Sequence, residues 1–343
     1  MARRQVVQRC PNCAAKYDVG IYVSGQKVRC RRCGIKFAVV RNDTHAGPAP
    51  RPSPPAAAGQ APAPPRPPNK PQRAAQNDLK PGMRLDGYEI GDSLGSGAMG
   101  TVYRARQISL DRPVAVKVMS ADLVSQDEFI LRFRREAAAL ATLSHTNVVS
   151  IIDRGHVDNN WYFVMEYVEG PTLRRILAQR KLRLEQLLDL AIQIGRGLDY
   201  AHGKGVVHRD LKPENVLLAD AGPEGLVPKI CDFGLADLLY SDRSYVNLTG
   251  SRISMGTVNY MAPEQRQDAG RVDQRADVFS FGVLLYEMLC GELPLGRFPE
   301  PSQKNRAVDR RLDSVVLRSL EIDARRRYPR VRPILDVLES VRR

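Results

Sequence analysis

Apolar and polar positions alternate along this chain in two distinct periods, and each predicts a different element. In RPVAVKVM, residues 112–119, Val114, Val116 and Val118 fall on one face of a strand while Ala115, Lys117 and Met119 fall on the other. The strand therefore carries one cation, Lys117, among apolar neighbours, where a charge needs a partner. In QDEFILRFRREAAALATL the period changes: Phe129, Phe133, Leu140 and Leu143 lie at −7, −3, +4 and +7 from Glu136. This spacing predicts a helix with the Glu136 carboxylate on its apolar stripe rather than its wet face. A Lys117–Glu136 ion pair is the obvious match, against the alternative of an exposed glutamate at the helix edge. Further on, short apolar strands are predicted at Val206–Val207 and Val216–Leu218, flanking a polar loop. The run from Phe279 to Cys290 is largely apolar, but it is about half the roughly 20 residues needed to cross a bilayer and contains Glu287. No membrane span is expected.

Residues 44–80 break both periods. They consist of Pro, Ala and polar residues without an aromatic side chain, so they cannot form a core and read as a disordered, semi-rigid tether. PxxP stretches within it could dock on an aromatic groove, but a spacer is the simpler reading. Its position divides the 343 residues into a unit at 1–43, the linker, and a domain at 81–343. Charge follows the same division. Of the net +14, residues 1–43 carry +8 and the linker +4, which leaves the large domain near neutral at +2. Any polyanion-binding role therefore belongs to the N-terminal unit. MARRQVVQRC has positive charge with no apolar stretch behind it, so it does not read as a secretory signal, and a cytoplasmic address is expected.

Within residues 1–43, Cys10 and Cys13 form one C-x2-C, and after sixteen intervening residues Cys30 and Cys33 form another. Two such knuckles supply the four thiolates of a closed tetrahedral zinc site. Two disulfides or a pair of redox dithiols are the alternatives; a reducing compartment opposes the first, and the absence of a βαβ pattern opposes the second. So short a unit holds little apolar material, and structural Zn²⁺ would supply much of its folding free energy. The segment resembles the small zinc-ribbon fingers at the start of some bacterial proteins. Arg29, Arg31, Arg32 and Lys36 cluster at the second knuckle, which makes nucleic acid or an acidic protein surface a candidate partner; the alternative is that these charges only solubilise a tiny fold.

LGSGAMGTVYRA, residues 94–105, contains G-x-G-x-x-G, used both by dinucleotide-binding turns and by the flap over ATP in protein kinases. Here the glycines are followed by Val102 and Tyr103, which favour strand, and then by the strand at 112–119, so the motif sits in a hairpin rather than at the start of a helix. GVVHRDLKPENVLL then places His208, Arg209, Asp210, Lys212 and Asn215 in one loop, and KICDFGLAD gives Asp232, Phe233 and Gly234 after a strand.

With these motifs in order, the chain resembles the eukaryotic-type (Hanks-type) Ser/Thr protein kinases, most of all the bacterial members, over about residues 86–341. The resemblance implies an α+β, bilobal fold, with a small β-rich lobe and a larger helical lobe, preceded here by the zinc ribbon and linker. It implies transfer of the ATP γ-phosphoryl group to protein Ser/Thr hydroxyls with Mg²⁺ or Mn²⁺, a reaction that calls for alignment and positive charge more than covalent chemistry. By the same resemblance Leu94, Gly95, Ser96, Gly97, Ala98, Met99 and Gly100 cover the nucleotide, with Val102 and Ala115 beside it. Lys117, fixed by Glu136, holds its phosphates; Asn215 and Asp232 ligate the metal; Asp210 accepts the hydroxyl proton; Lys212 stabilises the transferring group. Met165 stands beside the adenine, and the backbone from Glu166 to Val168 meets the purine. Met165 reads equally well as a core residue. Trp161 is expected to pack, His145, His156 and His202 show no ligand spacing, and Cys231 and Cys290 read as small buried residues.

Between Asp232 and Ala262 the chain is polar and rich in hydroxyls, like an activation segment. Thr249 and Ser251, then Ser254, are candidate phosphosites, with Arg209 as the cation that meets the phosphate and Thr257 shaping the acceptor pocket. Autophosphorylation between two copies is implied. Glu264 is expected to pair with Arg327, although Arg325 and Arg326 compete for it, and Asp277 to anchor the loop around Asp210. The rival reading is a pseudokinase scaffold, or a zinc finger that binds nucleic acid or protein beside a silent kinase fold. Such chains usually lose Lys117, Asp210 or Asp232, and all three are present here with Asn215. The sequence names no protein substrate.

Overall fold

The computed structural model describes the backbone at 7–9, 16–18, 27–29 and 36–38, and residues 79–343 apart from 98, 125–128, 159, 223–224, 235–256 and 268–271; at 122, 130, 132, 134, 257 and 267 it describes the backbone alone. The chain divides into two units, Met1–Pro68 and Asn69–Arg343. The first contains two antiparallel hairpins, β1 (Val7–Arg9) with β2 (Lys16–Asp18) and β3 (Lys27–Arg29) with β4 (Lys36–Ala38). Cys10 and Cys13 fall in the sequence between β1 and β2, and Cys30 and Cys33 between β3 and β4; all four lie outside the described residues.

In the second unit a six-stranded antiparallel sheet runs in the order β5 (Arg84–Leu85), β6 (Tyr88–Gly97), β7 (Gly100–Gln107), β8 (Arg112–Met119), β10 (Asn160–Glu166), β9 (Ile151–Val157). The glycine motif forms the hairpin between β6 and β7, with Gly97 opposite Gly100. Strand β8 is buried on both faces, and its two-residue period sorts side chains between two cores. Val114, Val116 and Val118 join Tyr103, Ile90 and Val164 on the outer side. Ala115 and Met119 join the large core that continues into the helical lobe. After the short α1 (Ala121–Val124), helix α2 (Phe129–Leu140) packs against that inner side through Phe129, Phe133, Ala137 and Leu140. The Phe133 ring lies 4.4 Å from Phe163 and 5.2 Å from Trp161, so Trp161 is a packing residue.

The helical lobe is built on the helix Arg275–Cys290, which is buried on nearly every side, as a helix apolar all round must be. Helix α3 (Leu173–Gln179), capped by Thr172, and the long α4 (Leu184–Gly203) pack nearby, with the hairpin β11 (Val216–Asp220) and β12 (Leu226–Ile230) between loop and cleft. The strand predicted at Val206–Val207 is not formed. Among the described residues no strand pairs with it: Val206 N–H is spent on Ala201 O at the end of α4, 3.0 Å, and the N–H groups of His208 and Arg209 go to a buried carboxylate. Among the described residues no helix is long and apolar enough to cross a membrane.

Candidate active site

The floor of the site hangs from Asp277, a fully buried residue in the first turn of the helix Arg275–Cys290. Its Oδ2 accepts from His208 N–H (2.7 Å) and faces His202 Nε2 (2.8 Å), while Oδ1 accepts from Arg209 N–H (2.8 Å). Burial pushes this carboxyl up, but the hydrogen bond and charge of His202, with His208, outweigh it and hold it below the usual carboxylate range. His202, to which sequence reading gave no role, thus supports the anchor; a lone histidine near a helix end carries no local signal of this. Pinned in this way, Arg209 takes a left-handed φ of 65°, uncommon for a residue with a Cβ, and the chain turns toward Asp210. Burial lowers the Arg209 guanidinium, opposed by the nearby charges of Glu136 and Asp277.

Asp210 sits between two donors. Lys212 Nζ lies 2.8 Å from its Oδ2 and 3.1 Å from its Oδ1, and Asn215 Nδ2 donates to its main-chain oxygen (2.8 Å) and to Oδ2 (3.1 Å). With its amide nitrogen so engaged, Asn215 is left its oxygen for a hard cation. The adjoining segment is tied to the same loop: Cys231 N–H donates to Asn215 O (2.9 Å), and His208 Nε2 lies 2.9 Å from Cys231 O. Asp232 follows, also with a left-handed φ, 64°. Burial pushes the Cys231 thiol up, and pushes Cys290 up to about 11.

Lys117 meets this acidic end. Its Nζ is 2.8 Å from Asp232 Oδ1, and although burial alone would raise the Asp232 carboxyl, the Lys117 charge and hydrogen bond bring it below its ordinary value. The expected Lys117–Glu136 pair is not made. Glu136 Oε1 instead accepts from Arg135 (3.1 and 3.2 Å), and its Oε2 lies 3.6 Å from where a Cβ on Gly234 would stand. The stripe reading was right about burial, since the Glu136 side chain is only 16% exposed, but wrong about the partner. Lys117 is buried between lobes, and Asp232 lies nearer than Glu136.

In the hairpin between β6 and β7, Gly100 has φ 143°, and a Cβ there would lie 1.9 Å from Val118 O, so only glycine closes the hairpin. A Cβ on Gly95 or Gly97 would meet nothing within 4 Å, so the backbone of those two glycines is open. Leu94 is half exposed, and Ser96, Met99 and Val102 lie on the same hairpin. Met165 pairs with Ala115 across β8 and β10 and belongs to the core while lining a small cavity with Asp232 and Phe233. Glu166 N–H is taken by Ser150 O (3.0 Å), and the Glu166 side chain by Lys229 (2.9 Å). Ala98 and the hydroxyls of Thr249, Ser251 and Ser254 lie outside the described residues, as does the Thr257 side chain. Of the three candidate arginines, Arg327 holds Glu264, through bonds of 2.6 and 2.8 Å.

Among the described residues no group of three or more His, Cys, Asp or Glu could hold a metal. Asn215 and Asp232 nonetheless fit Mg²⁺, which keeps several waters and is commonly bound through one or two protein oxygens together with phosphate.

Comparison with known proteins identifies the family. Residues 88–340 match the protein kinase domain family. A probable serine/threonine-protein kinase of Clostridium acetobutylicum is 35% identical over 270 residues, 74% of this chain and 40% of that protein. The serine/threonine-protein kinase PknB of Mycobacterium leprae is 38% identical over 262 residues (71% and 41%), and PrkC of Bacillus subtilis 35% over 263 (72% and 39%). The chain spans about two fifths of the length of these relatives. Among solved structures, the PknI kinase domain of Mycobacterium tuberculosis superposes with a TM-score of 0.61 at 29% identity, covering 76% of this chain and 99% of that one. Motif order, the geometry around Asp210 and these relatives together make the chain a member of the bacterial Hanks-type serine/threonine protein kinases.

Proposed function

We propose that this chain is an active Ser/Thr protein kinase that transfers the γ-phosphoryl group of ATP, with Mg²⁺ or Mn²⁺, to protein hydroxyls, including hydroxyls of its own segment 235–256. The observation that carries this reading is the bond from Cys231 N–H to Asn215 O, which brings the loop of Asp210 beside the segment of Asp232 and, through it, Lys117. Asn215 and Asp232 would hold the metal, which supplies positive charge to the phosphate oxygens. Asp210 orients the acceptor hydroxyl and takes its proton as that oxygen bonds to the γ-phosphorus and the bond to the departing ADP breaks. Lys212, already on Asp210, stands where the transferring group passes, and Lys117 pairs with the nucleotide phosphates. Gly95 to Gly100 close over them, and Met165, Glu166 and Val168 border the base. A binding-only scaffold fits less well, because it has no use for four such groups held together.

For the N-terminal unit, 1–43, we infer a zinc ribbon in which Cys10, Cys13, Cys30 and Cys33 hold one structural Zn²⁺, joined by the linker 44–80 to the kinase domain at 81–343. Two short hairpins, each with a C-x2-C in the residues that connect its strands, support this. Its positive charge suits an acidic protein or nucleic acid, and the thiolates suit the reducing cytoplasm. Self-association would allow phosphorylation in trans, at Thr249 and Ser251 first.

Incubation with Mg-ATP followed by mass spectrometry should find phosphate within residues 235–256. Asp210→Asn should lower turnover by about 10²–10⁴-fold, the range for a lost general base; undiminished transfer by that variant would reject the role given to Asp210. Metal analysis should find one zinc per chain, and metal-free protein with intact, reduced thiols would remove the ribbon.

A further inference from the structure

A partly buried charged cluster lies outside the machinery assigned above. Arg174, near the start of α3, donates through Nε to Glu214 Oε1 (2.8 Å), through one terminal nitrogen to Glu287 Oε1, and through the other to the Tyr260 hydroxyl (2.7 Å). The Tyr260 hydroxyl in turn donates to Glu287 Oε2. Burial opposes charge on Arg174, but its bonds to Glu214, Glu287 and Tyr260 outweigh that and raise the guanidinium above its usual value. Each of these residues comes from a different part of the fold: α3, the loop of Asp210, the turn after the segment 235–256, and the helix Arg275–Cys290.

With Asp210 in the role proposed for it, the cluster borders the place where an acceptor would lie. Glu214 stands between Lys212, which contacts Asp210, and Asn215, which bonds it. Tyr260 follows directly on the short turn Thr257–Asn259. The rim is open and the floor closed: the Glu214 side chain is 46% exposed and that of Arg174 36%, whereas Glu287 is 11%. Two carboxylates beside an acceptor cleft make a receptor for a cation. Here a cation from the chain itself fills it, forked across both, a geometry that suits a guanidinium better than an ammonium.

We propose that Arg174 is the internal occupant of an acidic acceptor subsite formed by Glu214 and Glu287, so that the chain accepts hydroxyl-bearing sequences without a basic residue at that place. Arg174 is thus a specificity-determining residue that acts by masking. A sequence that supplied its own arginine would compete with Arg174 for the same two carboxylates and gain little. Removing Arg174 opens the subsite to a basic residue of the acceptor. The proposal rests on the kinase reading.

The test compares wild type, Arg174→Ala and Arg174→Lys on a neutral Thr-containing peptide and on a set in which a single Arg is walked through the positions flanking the Thr. For the wild type the kcat/KM ratio of the best Arg peptide to the neutral one should be near one. Arg174→Ala should raise it about tenfold, Arg174→Lys by less, and adding Glu287→Gln should abolish the rise. The proposal is overturned if the ratio stays at the wild-type value in a variant that still phosphorylates the neutral peptide, or if the wild type already prefers one Arg peptide tenfold. Arg174→Lys keeps a cation between the carboxylates, and so decides the matter should Arg174→Ala not fold. A second arm needs no catalysis: agmatine should raise the melting temperature of the variant but not of the wild type. No phosphorylation of any peptide by the wild type would remove the kinase reading, and the agmatine arm would still judge the subsite, with no selective stabilisation overturning it.

Discussion

Two buried cations, Lys117 and Arg327, were each expected to hold a glutamate, and only Arg327 does. Arg327 spends every donor direction. It forks onto Glu264 and also donates to the main-chain oxygens of Glu321 (2.7 Å), Arg275 (3.0 Å) and Ile322 (3.1 Å), with its guanidinium carbon 4.9 Å from the centre of the Phe279 ring. Among the described residues Lys117 has one ion-pair partner, Asp232, and a distant sulfur, Met99 Sδ at 3.9 Å. The first cation is locked into a structural joint. The second is held by a single ion pair, which leaves it able to exchange its partner, as the phosphate-binding role proposed for it would require.

The largest effect should come from breaking the locked joint. Arg327→Ala leaves Glu264 and three main-chain acceptors without their donor, and loss of one partner of a buried pair costs about 3–5 kcal/mol. Urea unfolding should show that loss, and Arg327→Lys should recover less than half of it, because an ammonium cannot fork onto the carboxylate while reaching three carbonyls. Full recovery by lysine would mean that the joint holds by charge alone.

Lys117→Met should reverse the balance between stability and activity. It orphans one carboxylate, at a cost of about 1–3 kcal/mol, yet turnover should fall by about 10²–10³-fold, as when a preorganised electrostatic group is removed. Acid sharpens the contrast. Asp232 has a folded-state value below its unfolded value near 3.9, so the stability it contributes is present above about pH 4 and is lost as pH falls through the folded value. Melting temperatures across the acid range should therefore drop more steeply for the wild type than for Lys117→Met. Parallel curves would show that Lys117 does not hold Asp232 in solution.

What the sequence disclosed depended on how local each cause was. The two-residue period of β8 showed that Lys117 was buried, and the helical period did the same for Glu136, because burial follows from position on an element. Who pairs with whom depends on how elements pack, and Asp232 lies 115 positions from Lys117. The same limit hid Arg174 and His202. In LRRIL nothing distinguishes Arg174 from Arg175, and only the fold brings Glu214, Tyr260 and Glu287 to it. Val206 and Val207 looked like strand because they are apolar, but a strand also needs a neighbour, and their place in the fold offers a helix end and Asp277 instead.

The smallest effect concerns the partner that Lys117 does not hold. Glu136 is joined to Arg135, whose side chain is 74% exposed, and pairs of that kind contribute about 0–1 kcal/mol. Glu136→Gln should therefore leave the melting temperature almost unchanged. Its effect on turnover tests the exchange of partners directly. If Asp232 must turn to the metal when Mg-ATP binds, Lys117 loses its present anion, and Glu136 is the carboxylate expected to replace it. Turnover should then fall about tenfold, equivalent to about 1.4 kcal/mol in the transition state, with the KM for ATP changing less. Unaltered turnover would mean that Lys117 keeps Asp232 throughout the reaction, and that the two buried cations differ in geometry without differing in function.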